Sequence, residues 1–503
     1  MLSLITFLPA AAGVILAALP ARLPAKFFLR AWVAVAAVDL ALVVALWVAY
    51  NPHGGYAYGE NLRWIPDAGV GYHVGVDGLS LPLVAVTCVL FLACGIYSLG
   101  ETRRPRTYVC LFLGLQTVCV GLFAALDLVL FFVFFDLSIV GMYFVIAGWG
   151  HGEAARAAAL KFFLYTFVGS LVLLLGFIGL YLAAKPHTFD IVVLTRADPL
   201  AGRGAYATVV LAAIAVGLAI KTPTVPFHTW LPPAHSEAPA AGSAILAGVL
   251  LKFGTYGFVR IAMPLLPGAW RAYALVFIIV GAVSAVYGAL VALAQPNFKR
   301  MIAYTSVNHM GFVILGVGAA GVLAGTDAQS RSLAVTGAVT QMVSHGLITG
   351  ALFLLSGVLW ERTGSYQIDD HSGLAHRAPA FAGVTAVAAL ASLGIPGLSG
   401  FIAEFQIFTG SIASQVAATA VAVASIVITA GLFLRALQRM LAGPLRLPAT
   451  GPDAGGRFAD LTAREAVSVV PLLIVSAAIG VAPRWLLDVI EPAARHLVGL
   501  VAR

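Results

Sequence analysis

The chain has 503 residues, 61% of them hydrophobic, with 29 Lys and Arg against 21 Asp and Glu, so that only 10% are charged. Soluble domains carry about 25% charged residues, and so sparse a set cannot cover the surface of a soluble chain this long, which excludes a soluble enzyme. The net charge of +8 has no basic cluster fit for nucleic acid, since its densest run, Arg103, Arg104 and Arg106, reads as a topology signal.

A bilayer-spanning helix needs about 20 apolar residues. In chain order, spans are predicted at 2–20, 29–50, 76–99, 107–124, 127–148, 159–183, 205–222 running on to about 230, 240–263, 272–295, 300–323, 332–360, 379–411 with a break, 412–434 and 465–482. The expected fold is an all-α polytopic membrane protein with about 14 transmembrane helices. The first base is Arg22, so span 2–20 lacks the charged front of a signal peptide and reads as retained. The longest connections, 51–75, 184–204, 361–378 and 435–464, are too short for a separate soluble domain. Alternate connections hold 17 and ten bases. The richer set includes Arg103, Lys299, Arg300, Arg362 and Arg457; the poorer includes Arg260, Arg331 and a loose tail with Arg484, Arg495 and Arg503. The positive-inside rule then places both termini on the outer side, with the lipid bilayer as the chain's surroundings. Only Lys221 and Lys252 are left inside spans.

An ionisable group in hydrocarbon costs at least about 2.5–3.5 kcal/mol and marks a functional site by default. Asp39 lies near a span centre without a companion motif, so a structural role is as good a reading as a functional one. Cys88, Cys94, Cys110 and Cys119 sit in apolar runs without a Cys-x-x-Cys pair and read as small core residues, not as ligands of zinc or an iron–sulfur cluster. Asp136 interrupts LVLFFVFFDLSIVGMYF, far from a helix end. Next comes AIKTPTVPFHTW, where Pro223 and Pro226 follow Lys221 and must break the helix. His228, His235 and Glu237 follow that break and could line its mouth or form a polar interfacial loop. His309 and His345 lie in consecutive apolar spans among Ser and Thr, and two of them between a buried Lys and a buried Glu suggest a relay. A second break, LASLGIPGLSGFIAEF, places Gly394, Pro396, Gly397 and Gly400 before Glu404. Free backbone at membrane depth is tolerated only where protein buries it or a hydrated cavity meets it, and a charge beside each break favours the cavity. Paired interruptions also suggest two inverted five-helix repeats, over 107–263 and 272–434, between an N-terminal three-helix segment (1–106) and a C-terminal part (435–503). GVGAAG at 316–321 matches the dinucleotide fingerprint only in letters, because no strand or crossover accompanies it.

KTPTVPFHTWLPPAHSEAPAAGSAILAGVLLKFGTYGFVR resembles the signature of the antiporter-like membrane subunits of respiratory complex I, the NADH:quinone oxidoreductase. GVDGLSLPL, FFDLSIVGMYFVIAGWG, NFKRMIAYTSVNHMGF, VSHGLITGALFLLSG and GIPGLSGFIAEF extend the resemblance along nearly the whole chain. The resemblance implies 14 helices, with Lys221 as the switchable lysine, Lys252 as the connecting residue, His309 and His345 as relay members and Glu404 as the terminal group. An acid at this last position favours the M-type subfamily over the L-type and N-type subunits, which are implied as partners in a bacterial inner membrane. The family has Glu where this chain has Asp136, one methylene shorter, so that a water could bridge it to Lys221. NADH, FMN, iron–sulfur clusters and quinone are implied in partner subunits and no cofactor in this chain. A cation/proton antiporter of the Mrp type, a membrane-bound hydrogenase and a plain membrane scaffold are the rival readings. A Lys–carboxylate pair at about 4 Å and an effective dielectric of 20 gains about 4 kcal/mol. Moving one charge through 100 mV takes about 2.3 kcal/mol, so making and breaking such a pair is of the right size to load and eject one proton.

Overall fold

A computed structural model describes residues 1–20, 22–448 and 458–503 of the protein; Arg457, counted above among the basic connections, lies outside the described residues. Two helices open the chain, α1 (Leu2–Ala18) and α2 (Ala25–Val48). An antiparallel hairpin follows, β1 (Ala57–Ile65) and β2 (Val70–Val76), paired from Ala57↔Val76 to Ile65↔Val70. It adds a small sheet to the expected all-α class. Register shifts between Ala57 and Glu60 and between Arg63 and Ile65 interrupt the alternation of side chains that would announce a strand.

Then come α3 (Leu81–Tyr97), α4 (Pro105–Ala124), α5 (Leu128–Trp149), α6 (Ala155–Ala183), the short α7 (Ile191–Ala197), α8 (Gly204–Lys221) and α9 (Leu231–Glu237). The rest of the chain forms α10 (Ala240–Leu265), α11 (Pro267–Leu293), α12 (Phe298–Ala319), α13 (Ala328–Thr363), α14 (Pro379–Ser392), α15 (Ser399–Ile412), α16 (Val416–Leu441), α17 (Ala463–Val481) and α18 (Arg484–Val501). Among the described residues twelve helices are long and apolar enough to cross a membrane. The shorter apolar α1 and α14 stand where the first and twelfth spans were expected. Helix starts are chemically marked: Asp127, Asp190, Asn297 and Asp327 accept backbone N–H bonds at their own helix N-termini.

Burial sorts the helices. The most apolar stretches of α10 and α13 are 100% buried and that of α12 is 94% buried, whereas α2 and α16 are only 28% and 33% buried. Polar and ionisable side chains are tolerable in a membrane where they face protein instead of lipid. The three central helices are the ones that carry Lys252, His309 and His345.

Both expected breaks are present. Helix α8 stops at Lys221 and does not run on to residue 230; residues 393–398 separate α14 from α15. Two expectations need correction. The tail after the last span is the helix α18, whose apolar side (Leu486, Ile490, Leu497) packs inward against α13. Lys221 and Lys252 are also not the only bases removed from the surface: Lys299 is 0% exposed, and Arg260, Arg331 and Arg362 are buried as well. Arg260 pairs with Asp77 and bonds the hydroxyls of Tyr256 and Tyr56 at 2.8 Å each. Burial alone would raise the Asp77 carboxyl, but the Arg260 guanidinium and the N–H groups of Ser80 and Leu79 hold it below the usual carboxylate range.

Candidate functional site

Lys221 is the last residue of α8, so its ammonium lies at the negative end of a helix dipole, where cations are favoured. Nζ donates to the Ser138 hydroxyl at 3.2 Å and lies 5.0, 5.7 and 5.8 Å from the ring centres of Phe135, Phe253 and Phe162. Three ring faces partly replace lost hydration by cation–π attraction. The Asp136 carboxylate makes no ion pair with it. Asp136 is partly exposed and leaves Oδ1 buried without a hydrogen-bond partner. Ser138, two residues further on, supplies the hydrogen bond to Lys221 that Asp136 does not make.

Lys252 shows how backbone creates a site. Residues 246–250 and 258–262 of α10 are wound as wide π turns on either side of it. In the first, the Leu251 N–H bonds Leu246 O, five residues back, at 3.2 Å. In an α-helix that N–H would go to Ala247 O. The freed Ala247 carbonyl instead accepts from Lys252 Nζ at 2.6 Å. π bulges of this kind recur at functional positions. Helices α8 and α10 approach so closely that a Cβ on Gly254 would meet Leu218 O and the Thr222 hydroxyl. The two lysines are thereby held on adjoining turns of two packed helices.

From Lys252 a line of contacts runs through the centre of the bundle. Nζ meets His345 Nδ1 at 2.6 Å, and the rings of His345 and His309 are 5.5 Å apart, nearly edge to face at 74°. His309 Nε2 donates to Ser392 O at 3.1 Å and lies 3.9 Å from Glu404 Oε1. Ser392 ends α14, so this is a carbonyl that the second break releases from helix bonding. His345 Nε2 and His309 Nδ1 have no partner among protein atoms. The two histidines, Gln341, Ser344, Ser392 and Glu404 line a cavity of about 10 Å³, the size needed for a single water. From Ser344 the hydroxyls of Ser399 and Ser476 continue at 2.7 Å per step and tie α15 to α13 and α17.

Gly394 fixes the second break. Its φ of 72° is left-handed, and a Cβ there would meet the Glu404 carboxylate. Gly394→Ala is expected to cost about 1–3 kcal/mol from backbone strain and to push Glu404 out of line with His309. Thermal unfolding and proton transport, measured together, check this; parental values in both would refute it.

The remaining sequence candidates make no hydrogen bond to this line. His228 is buried edge-on to Tyr287, with ring centres 4.9 Å apart. His235 stacks on Phe353 at 4.5 Å with neither nitrogen bonded, and Glu237 is half-buried. Sequence reasoning missed Lys299, whose Nζ donates to Ala238 O at 2.5 Å and to the Tyr366 hydroxyl at 3.3 Å. It also missed the Ser392 carbonyl, to which only the second break gave a clue.

The family model described as NADH:quinone oxidoreductase/Mrp antiporter, TM matches residues 125–429, from the start of α5 into α16. The chain belongs to this family. Curated relatives include NADH-quinone oxidoreductase subunit M of Rickettsia felis, 39% identical over 446 residues, with 88% of this chain and 86% of the relative covered. The subunit of the same name from Rhodobacter capsulatus is 37% identical over 513 residues and covers 99% of this chain and 96% of its own length. Among solved structures, a chain of respiratory complex I from Thermus thermophilus with bound NADH is 30% identical and superposes with a TM-score of 0.87 over 100% of both chains. Within the family, the break at Lys221 and the cluster of Lys252, His309, His345 and Glu404 all fall inside the matched region.

Proposed function

We propose that this chain is a membrane-arm subunit of a proton-pumping NADH:quinone oxidoreductase, and that protons cross it through two half-channels joined at the buried lysines. The buried line of ionisable groups from Lys252 through His345 and His309 to Glu404 carries this reading. Lys221 is the switchable group: the helix end, Ser138 and three aromatic rings hold its proton. Asp136 adds stabilisation through space or through an intervening water. When that support weakens, Lys221 Nζ gives up one proton and Lys252 gains it; His345, His309 and Glu404 pass it on, one bond to hydrogen broken for each formed. One water in the cavity would connect the two unpartnered ring nitrogens.

His228, His235 and Glu237 line the approach to the first break, and residues 107–263 and 272–434 act as the two inverted units. The hairpin end and both termini face the outer side of a bacterial inner membrane, with L-type and N-type subunits as neighbours. NADH, FMN, iron–sulfur clusters and quinone belong to partner subunits, whose electron transfer supplies the driving energy. Purification of the tagged chain from native membranes is expected to bring down flavin- and iron–sulfur-bearing subunits, identified by mass spectrometry. Recovery with membrane subunits alone, together with a sodium-dependent growth defect on deletion, would favour a cation/proton antiporter instead.

A further inference from the structure

Asp39 lies outside the pathway just described, on α2, and is 0% exposed. Its neighbours come from α3 and α4: the Cys88 thiol reaches Oδ2 at 3.5 Å, and Gln116 Nε2 donates to the same oxygen at 2.6 Å. No Lys, Arg or His nitrogen among the described residues stands within ion-pair distance. The nearest stripe of α4 adds only Cys119, one turn beyond Gln116, also buried. Two acceptors in this cluster are left over, Asp39 Oδ1 and Gln116 Oε1, both buried and both without a partner.

An ionised Asp39 would leave a bare charge in the membrane interior and two orphaned oxygens, each of which forfeits its hydration without a compensating bond. One proton on Oδ1 removes all three penalties. The carboxylic O–H then donates to Gln116 Oε1 while Gln116 Nε2 donates to Oδ2, and acid and amide close a cyclic pair. Exchanging oxygen and nitrogen of the Gln116 amide does not remove the need, because two oxygens at 2.6 Å also require a proton between them. We infer that Asp39 is a permanently occupied proton-binding site, a neutral acid that joins α2 to α4 by two reciprocal hydrogen bonds with Gln116 and takes no part in transport.

The test uses the assembled complex. Asp39→Asn preserves the cyclic pair with an amide in place of the acid, so it is expected to retain parental assembly, melting temperature and proton transport. Its infrared spectrum is expected to lose the carbonyl stretch of a protonated carboxylic acid at constant carboxylate intensity. Gln116→Glu, able to form an acid–acid pair, is expected to assemble too, whereas Gln116→Leu is expected to melt earlier. Loss of a carboxylate band in Asp39→Asn in place of the acid carbonyl would overturn the inference. So would collapse of Gln116→Glu, the result that like-charge repulsion with an ionised Asp39 would give, or a transport defect in a normally assembled Asp39→Asn complex.

Discussion

Lys221→Ala in the assembled complex is expected to abolish proton translocation while leaving the chain folded. The side chain hydrogen-bonds one hydroxyl, Ser138 Oγ, and otherwise faces aromatic rings, so its removal breaks no buried ion pair. What it removes is the lysine that closes α8 at the first break. Without it an excess proton must cross that depth unsupported, at a cost of at least about 2.5–3.5 kcal/mol, which is roughly a hundredfold or more in rate. Proton uptake by reconstituted vesicles, normalised to assembled complex, is the measurement. Transport at the parental rate would sink the assignment of Lys221 as the switch. Lys221→Arg separates charge from switching, because a guanidinium keeps the charge but does not release its proton.

The largest effect on stability is expected at Arg362→Ala, about 3–5 kcal/mol. Arg362 stands near the end of α13 and its guanidinium bonds both Glu465 oxygens, at 3.2 and 2.7 Å. Its other bonds go to the carbonyls of Ala459, Asp460 and Val358. Glu465 is 2% exposed and closes a capping box with Thr462 at the start of α17. Truncating Arg362 leaves that buried carboxylate with only the half-exposed Arg464 guanidinium, 3.9 Å away and shared with Glu361, and the attachment of α17 to α13 goes with it. Since α17 also bonds Ser399 at the second break through Ser476, the loosened helix should disturb the Glu404 region too. The double variant Arg362→Met with Glu465→Leu removes both charges and is expected to recover most of the melting temperature. If Arg362→Ala alone melts with the parent, the pair contributes nothing and the argument is wrong.

How much could be read in advance depended on which physical effect set each feature. The breaks were legible because proline lacks an N–H and fixes its own φ, whatever surrounds it. Lys221, Lys252, His309, His345 and Glu404 were legible because ionisable groups are costly in hydrocarbon and so stand out in apolar sequence. Lys299 was misread as a surface charge because it adjoins Arg300 in a basic dipeptide. One residue of helix rotation, about 100°, sends Lys299 into the core and leaves Arg300 exposed. The hairpin after α2 was hidden by its irregular register, and α18 by the charges Arg484, Asp488, Glu491 and Arg495 that interrupt its apolar residues.

The sequence alone therefore determined that this is a membrane protein, where its chain is interrupted, and that Lys221, Lys252, His309, His345 and Glu404 are buried, since these follow from composition and local backbone chemistry. Only the tertiary structure decided which of those groups meet. The π winding that frees Ala247 O for Lys252, the His309 bond to the Ser392 carbonyl, the separation of Asp136 from Lys221, and the pairing of Asp39 with Gln116 each join segments distant in sequence or depend on a turn of helix that no local pattern announces. Contact across a bundle is fixed by packing, and packing is a property of all the helices at once.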